Sequence, residues 1–111
     1  MELTPFQRIY LEEKKKLPEN TILLMRMGDF YEVCFSDAHL ASYLWNVTVS
    51  SRYNVPLCGV EFHGENKYIE ILLDHGYNVA LAEPRENSGK GNLKYVTTII
   101  KPTDETEKGD N

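Results

Sequence analysis

Cysteine is scarce in this chain, with two among 111 residues. Cys34 and Cys58 both fall in apolar, strand-like stretches, so they read as reduced core thiols of a cytoplasmic protein and not as a disulfide framework. Histidine is equally thin. His39, His63 and His75 lie in different predicted elements, without HxxxH or CxxC spacing, and no zinc site is expected. Long apolar runs are missing too: none approaches the ~18 residues that a membrane span needs. The opening Met1-Glu2-Leu3-Thr4-Pro5 lacks the basic-then-apolar order of a secretion signal, which leaves the sequon Asn46-Val47-Thr48 without consequence. Positive charge is in short supply. The net charge is −5, which argues against strong autonomous nucleic-acid binding. Residues 102–111 hold −3 of this, with Asp104, Glu105, Glu107 and Asp110 against Lys108, and the body holds −2.

Catalytic signatures are also missing. Ser88-Gly89-Lys90-Gly91 fails as a phosphate-binding loop: Pro84 stands where the first glycine belongs and Gly91 where a hydroxyl should hold magnesium. No ATP binding is expected. There is no Gly-x-Ser-x-Gly elbow, and Glu65-Asn66-Lys67 has the look of a nuclease signature but falls at a helix start. No cofactor is implied, and the chain reads as a non-enzyme. Asp29, Glu32 and Glu83 would form a metal site only if the sheet gathered them.

What is present suffices for a core, with 41% hydrophobic and 11% aromatic residues. One compact domain is expected over residues 1–102, followed by an acidic tail, 103–111, expected to be disordered. Thr4-Pro5-Phe6-Gln7 has the form of a capping box with proline at the first helical position. Phe6, Ile9, Tyr10 and Leu17 give that helix an apolar stripe, and Lys14-Lys15-Lys16 belong to its wet side. Residues 21–27 read as a buried strand and 29–35 as a second one. A helix opens at Ser36-Asp37, with Trp45 and Tyr43 expected to pack. Val47 to Ser51 then forms a short strand leading to Arg52. After a turn at Tyr53-Asn54 comes a strand over 55–62, where Pro56 suits an edge or a strand start. A third helix follows from about Gly64, with Gly76 behind its end. Tyr77 to Glu83 is a strand, Pro84 to Asn92 a hairpin-type loop, and Tyr95 to Ile100 the last strand. The class is α/β (α+β): a mixed sheet of about five to six strands flanked by about three helices.

One stretch stands out, Leu24-Met25-Arg26-Met27-Gly28-Asp29-Phe30-Tyr31-Glu32. Gly-Asp is turn chemistry. Beyond it, strand alternation puts Phe30 and Glu32 on one face and Tyr31 on the other. An aromatic beside a carboxylate, just past a turn, could stack on a flat partner and bond to its edge. By spacing alone the commoner outcome is a core Phe30 next to a solvated Glu32.

Thr4-Pro5, then Arg26-Met27-Gly28-Asp29-Phe30-Tyr31-Glu32, Asp37-Ala38 and Ala41 come in a recognisable order. They are followed by the strand ending in Arg52, Pro56-Leu57-Cys58-Gly59-Val60, His63, Asn66-Lys67-Tyr68-Ile69 and Val79-Ala80-Leu81-Ala82-Glu83. Together these resemble the N-terminal mismatch-recognition domain of the MutS DNA mismatch repair family, over about residues 4 to 102. The resemblance implies the domain I fold and a DNA-binding module. Phe30 would wedge beside a mispaired or unpaired base from the minor groove, Glu32 would hydrogen-bond to that base, and Asp29 and Arg52 would also meet the DNA. The implied partner is double-stranded DNA with mismatches or unpaired bases, bound weakly by this domain alone, together with other mismatch repair proteins.

Departures accompany the resemblance. Family members continue into a connector, a lever-and-clamp and an ATPase, whereas here a polar tail reads as a terminus. The chain is then either a free-standing domain or a piece of a longer relative. The loop between Arg52 and Pro56 is shorter than in the family, and Ala82-Glu83-Pro84 replaces Cys-Glu-Gln. Two other readings stay open: a stand-alone protein-interaction module that modulates a full-length repair protein, and a small nuclease.

Overall fold

The computed structural model describes residues 2–85 and 94–102. Helix α1 (Pro5–Lys15) begins as its sequence dictates. The Thr4 hydroxyl accepts the Gln7 N–H at 3.1 Å, and the Gln7 side chain accepts the Thr4 N–H at 2.9 Å. Two otherwise orphaned donors are thereby satisfied. The chain continues as β1 (Thr21–Met27), β2 (Phe30–Cys34), α2 (Ser36–Trp45), β3 (Ser50–Arg52) and β4 (Val55–Glu61). A 3₁₀ turn (Phe62–Gly64) leads into α3 (Glu65–Asp74), then β5 (Asn78–Arg85) and β6 (Lys94–Ile100). Among the described residues six strands form one sheet in the order β3-β4-β2-β1-β5-β6. Of their five ladders, β1 with β5 is parallel and the other four are antiparallel. This is the mixed α/β architecture expected.

Period two sorts the sheet into two faces. Ile22, Leu24, Tyr31, Val33, Cys58, Val60 and Val79 pack against α2 and α3 through Ala38, Ala41, Trp45, Ile69, Leu72 and Leu73. Leu23, Met25, Cys34, Val55, Ala80 and Ala82 pack on the other face with Phe6 and Tyr10 of α1. The buried Tyr10 hydroxyl is satisfied by the Leu23 carbonyl at 2.6 Å. A single helix about 10 Å across covers about two strands spaced 4.7–4.9 Å apart. Part of the α1 face therefore stays open, and Met27 and Phe30 are exposed on it.

Trp45 packs as expected: it is buried, and its indole N–H donates to the Tyr68 carbonyl at 3.0 Å. Several other local expectations change. Tyr43 does not pack but is 82% exposed. The sheet-facing stripe of α2 is Ala38, Ala41 and Trp45, and Tyr43 lies about half a turn away from it. Strand β3 starts at Ser50, later than Val47, because Asn46 caps α2 in the left-handed conformation and the Val47 N–H is still spent on the Ser42 carbonyl. Strand β5 runs through Pro84 and Arg85, which pair with Tyr95 and Lys94, so the expected loop does not begin at Pro84. Pairing with β1 ends at Ala82; beyond it β5 has one neighbour, an edge setting that tolerates proline. Pro56 occupies the second position of β4, in keeping with a strand start. The rest of the loop, 86–92, and the tail, 103–111, lie outside the described residues. Among the described residues no helix is long and apolar enough to cross a membrane.

Candidate functional site

Strands β1 and β2 are joined by the two residues Gly28-Asp29, closed by the Met27↔Phe30 pair. Gly28 has φ +61° while Asp29 stays in negative φ. Glycine in the first position with positive φ fits a type II′ hairpin, whose twist matches that of the strands. The turn delivers Phe30 to the open corner of the α1 face.

Along β2 the two side chains reverse the usual order. Phe30 is 46% exposed, whereas Glu32 is 8% exposed. Glu32 sits between Met25 of β1 and Gly59 of β4. A methyl group on Gly59 would lie 3.4 Å from the Tyr31 carbonyl and 3.8 Å from the Glu32 Cγ, so glycine leaves room beside the Glu32 stem. The nearest cation is Arg52, with Nη1 3.6 Å from Glu32 Oε1. That distance gives attraction but is too long for a sound hydrogen bond. Among the described residues Glu32 Oε1 finds no hydrogen-bond partner. Burial raises the Glu32 pKa above its ordinary value, with the Arg52 guanidinium opposing the rise. A buried acceptor without a hydrogen bond is costly in a folded chain, and here it lies on the same strand face as an exposed aromatic.

Arg52 is held from two sides. It ends β3 opposite Val55, across a tight turn in which Tyr53 and Asn54 both take positive φ (51° and 66°), as a type I′ turn requires. Its carbonyl accepts the Gln7 side-chain N–H at 3.0 Å. Gln7 thus serves twice, completing the capping box of α1 and pinning the strand that carries the guanidinium. Tyr95 completes the near face. Its ring meets Phe6 edge-on at 6.5 Å, and its hydroxyl donates to the Arg26 carbonyl at 3.1 Å. Its pKa is raised by burial, with Glu32 and Glu83 adding to the rise.

The possible metal trio is not assembled. Glu83 lies on the α2–α3 face, where it accepts the Tyr31 hydroxyl and pairs with Arg26 at 3.2 Å, while Glu32 lies on the α1 face. Asp29 is exposed at the turn, and its carbonyl accepts the Phe62 N–H at 2.8 Å. Among the described residues no group of three or more His, Cys, Asp or Glu could hold a metal ion.

The family model for MutS domain I matches residues 4–106. The chain belongs to the MutS domain I family. A DNA mismatch repair protein MutS of Desulforamulus reducens is 47% identical over 110 residues, covering 92% of this chain and 13% of its own length. The proteins of the same name from Anaeromyxobacter sp. (strain K) and Thermosipho melanesiensis are 40% and 39% identical, over 89% and 90% of this chain. Each is covered over 12% of its length, so the chain spans about an eighth of the curated relatives it matches.

In this MutS domain I, Glu32 and Arg52 meet on the α1 face, and Phe30 lies on the same face of β2 two residues before Glu32, with Asp29 at the turn. Gln7, bonded to the edge strand β3, and Tyr95, on the opposite edge strand β6, flank these residues on the same face, and neither was anticipated. The capping box marks Gln7 as a helix start, but its second bond joins residues 45 apart in sequence. Tyr95 carries no local signal beyond strand periodicity.

Proposed function

We propose that this domain binds double-stranded DNA where a mispaired or unpaired base has weakened the stack, without catalysing a reaction. The observation that carries the reading is the inversion along β2, an aromatic turned out beside a carboxylate turned in. Phe30 inserts from the minor groove and stacks beside the faulty base, kinking the duplex. The unstacking energy is offset by the extra protein surface that a bent duplex meets. Deformability rather than base sequence is read, because a mismatch is cheaper to unstack than a pair. Glu32 supplies the polar half. Its carboxylate takes a hydrogen bond from the displaced base edge, and a perfect duplex offers none, so the carboxylate penalises matched DNA. Arg52, half-exposed at the end of β3, and Asp29 at the turn complete the contact.

Binding by the domain alone is weak. With a net charge of −5, affinity in the non-specific range of about 10⁻⁴–10⁻⁶ M is expected, falling steeply with salt. The test is fluorescence anisotropy of the full chain with two labelled duplexes, one matched and one bearing a single unpaired thymine, at two salt concentrations. The unpaired base should be preferred, and Phe30→Ala should remove that preference by about 5- to 150-fold, the range expected for loss of one base–aromatic stack of 1–3 kcal/mol. Equal affinity of parent and variant for the unpaired-base duplex would refute the wedge. Binding of neither duplex at low salt would favour the protein-interaction reading instead.

A further inference from the structure

Behind the wedge, on the opposite face of the sheet, lies a cluster of side chains that the reading above leaves unused. Arg26 is its hub. Its Nε donates to the Gly28 carbonyl at 2.8 Å and its Nη1 to Glu83 Oε1 at 3.2 Å. The guanidinium carbon stands 3.6 Å from the centre of the Phe62 ring. Tyr31, whose backbone separates Phe30 from Glu32, donates its hydroxyl to the other Glu83 oxygen and packs its ring 6.0 Å from Phe62. The Phe62 N–H reaches forward to the Asp29 carbonyl at 2.8 Å.

The turn sits where the sheet runs out of support. The parallel ladder to β5 ends at Met25↔Ala82, two residues before the end of β1. Beyond it the hairpin keeps its own Met27↔Phe30 pair and the Phe30↔Glu61 pair with β4. Arg26 bridges the gap, joining the turn, β5 and the 3₁₀ segment through one planar group. Glu83 is about two-fifths exposed, so as an ion pair alone the contact contributes little to stability. Its effect is geometric. Two directed bonds and a stacking contact fix a guanidinium in a way that a lysine ammonium cannot reproduce. We propose that Arg26 and Glu83 are positioning residues for Phe30: from the far face they lock the Gly28–Asp29 turn and Tyr31, and so set the angle at which the wedge projects.

The proposal rests on the wedge reading, and one set of variants separates the two. Arg26→Lys keeps the charge but loses the fork and the planar stack. Glu83→Gln is the milder change, since an amide has one acceptor oxygen where two are in use. In the full chain, each should lower the ratio of unpaired-base to matched affinity by about 3-fold or more, and Arg26→Lys should lower it no further in a Phe30→Ala background. Matched-duplex affinity for Arg26→Lys should stay within about 2-fold, because the charge near the DNA is unchanged. A ratio untouched in both variants overturns the proposal, as does an equal fall for Arg26→Lys with and without Phe30, which would mean general loosening. A ratio that falls for Phe30→Ala but for neither partner sinks the positioning role alone. A ratio insensitive to Phe30→Ala sinks the wedge and this proposal together.

Discussion

Replacing Glu32 by glutamine tests the recessed carboxylate through two independent quantities. The first is stability. In the folded chain burial raises the carboxyl pKa above its ordinary value of 4.5, so folding favours the protonated form. The contribution of this group to stability is therefore full below the unfolded carboxyl range and is lost as pH rises through the raised folded value. Glu32→Gln removes that penalty. Its melting temperature should exceed that of the parent at neutral pH, and the gap should close towards pH 4. Each kcal/mol corresponds to about 4–8 °C in a domain of this size, so the effect is within reach of an ordinary thermal melt. The second quantity is matched-duplex affinity. For a phosphate about 8 Å from the carboxylate, repulsion is about 0.5 kcal/mol in bulk water and about 2 kcal/mol at an effective dielectric of 20. Removing the charge should tighten matched binding by about 2-fold to about 30-fold, less at high salt. Discrimination then narrows from the matched side, the reverse of the Phe30→Ala effect. Identical melting profiles from pH 4 to 8 would refute the buried-charge argument, and unchanged or weaker matched binding would refute the repulsive role.

Gly28→Ala should lower stability by about 1–3 kcal/mol, the cost of placing a non-glycine residue at φ +61°. The position is otherwise open, with nothing within 4 Å of an added Cβ, so a thermal melt reads the backbone term without steric clash. Cys34 and Cys58 should resist alkylation at pH 8 in the folded chain, because burial pushes their thiols up to about 12 and about 11. Mass spectrometry after iodoacetamide treatment should find label on either only once denaturant is added.

Elements with strong local grammar were legible from the residues alone. The capping box of α1, the Gly28-Asp29 turn, the Tyr53-Asn54 turn and Gly76 behind α3 each specify their own backbone through a few adjacent side chains. The faces of β2 were also legible, since period two separates Tyr31 from Phe30 and Glu32. Which face would be open was not. Strand periodicity says that Phe30 and Glu32 look the same way, but their exposure depends on neighbours brought from elsewhere in the chain, such as Arg52 beside Glu32. Spacing alone favoured Phe30 inside and Glu32 out, and the outcome is the reverse. Tyr43 went the other way for a related reason: aromatic character suggested packing, and the phase of α2 turned it to solvent. The Arg26–Glu83 contact spans 57 residues. Nothing near either residue announces the other, because the crossover through α2, β3, β4 and α3 decides that β5 returns beside β1.

That crossover also sets the order in which the chain can complete itself as it leaves the ribosome. Strand β1 is central, yet its parallel neighbour β5 begins 57 residues later. The β1–β2 and β3–β4 hairpins close over two-residue turns, and β4 can join β2 while synthesis continues. During that interval β1 presents one bare rim of backbone donors and acceptors, flanked by Ile22, Leu23, Leu24 and Met25. Such a rim is a template for pairing with any other nascent strand, and distant strand pairings of this kind are slow to form. The last part of the domain to be made is therefore the part that seals its middle. A chain released before residue 78 would expose its most apolar strand, and its expected fate is aggregation rather than a smaller folded domain.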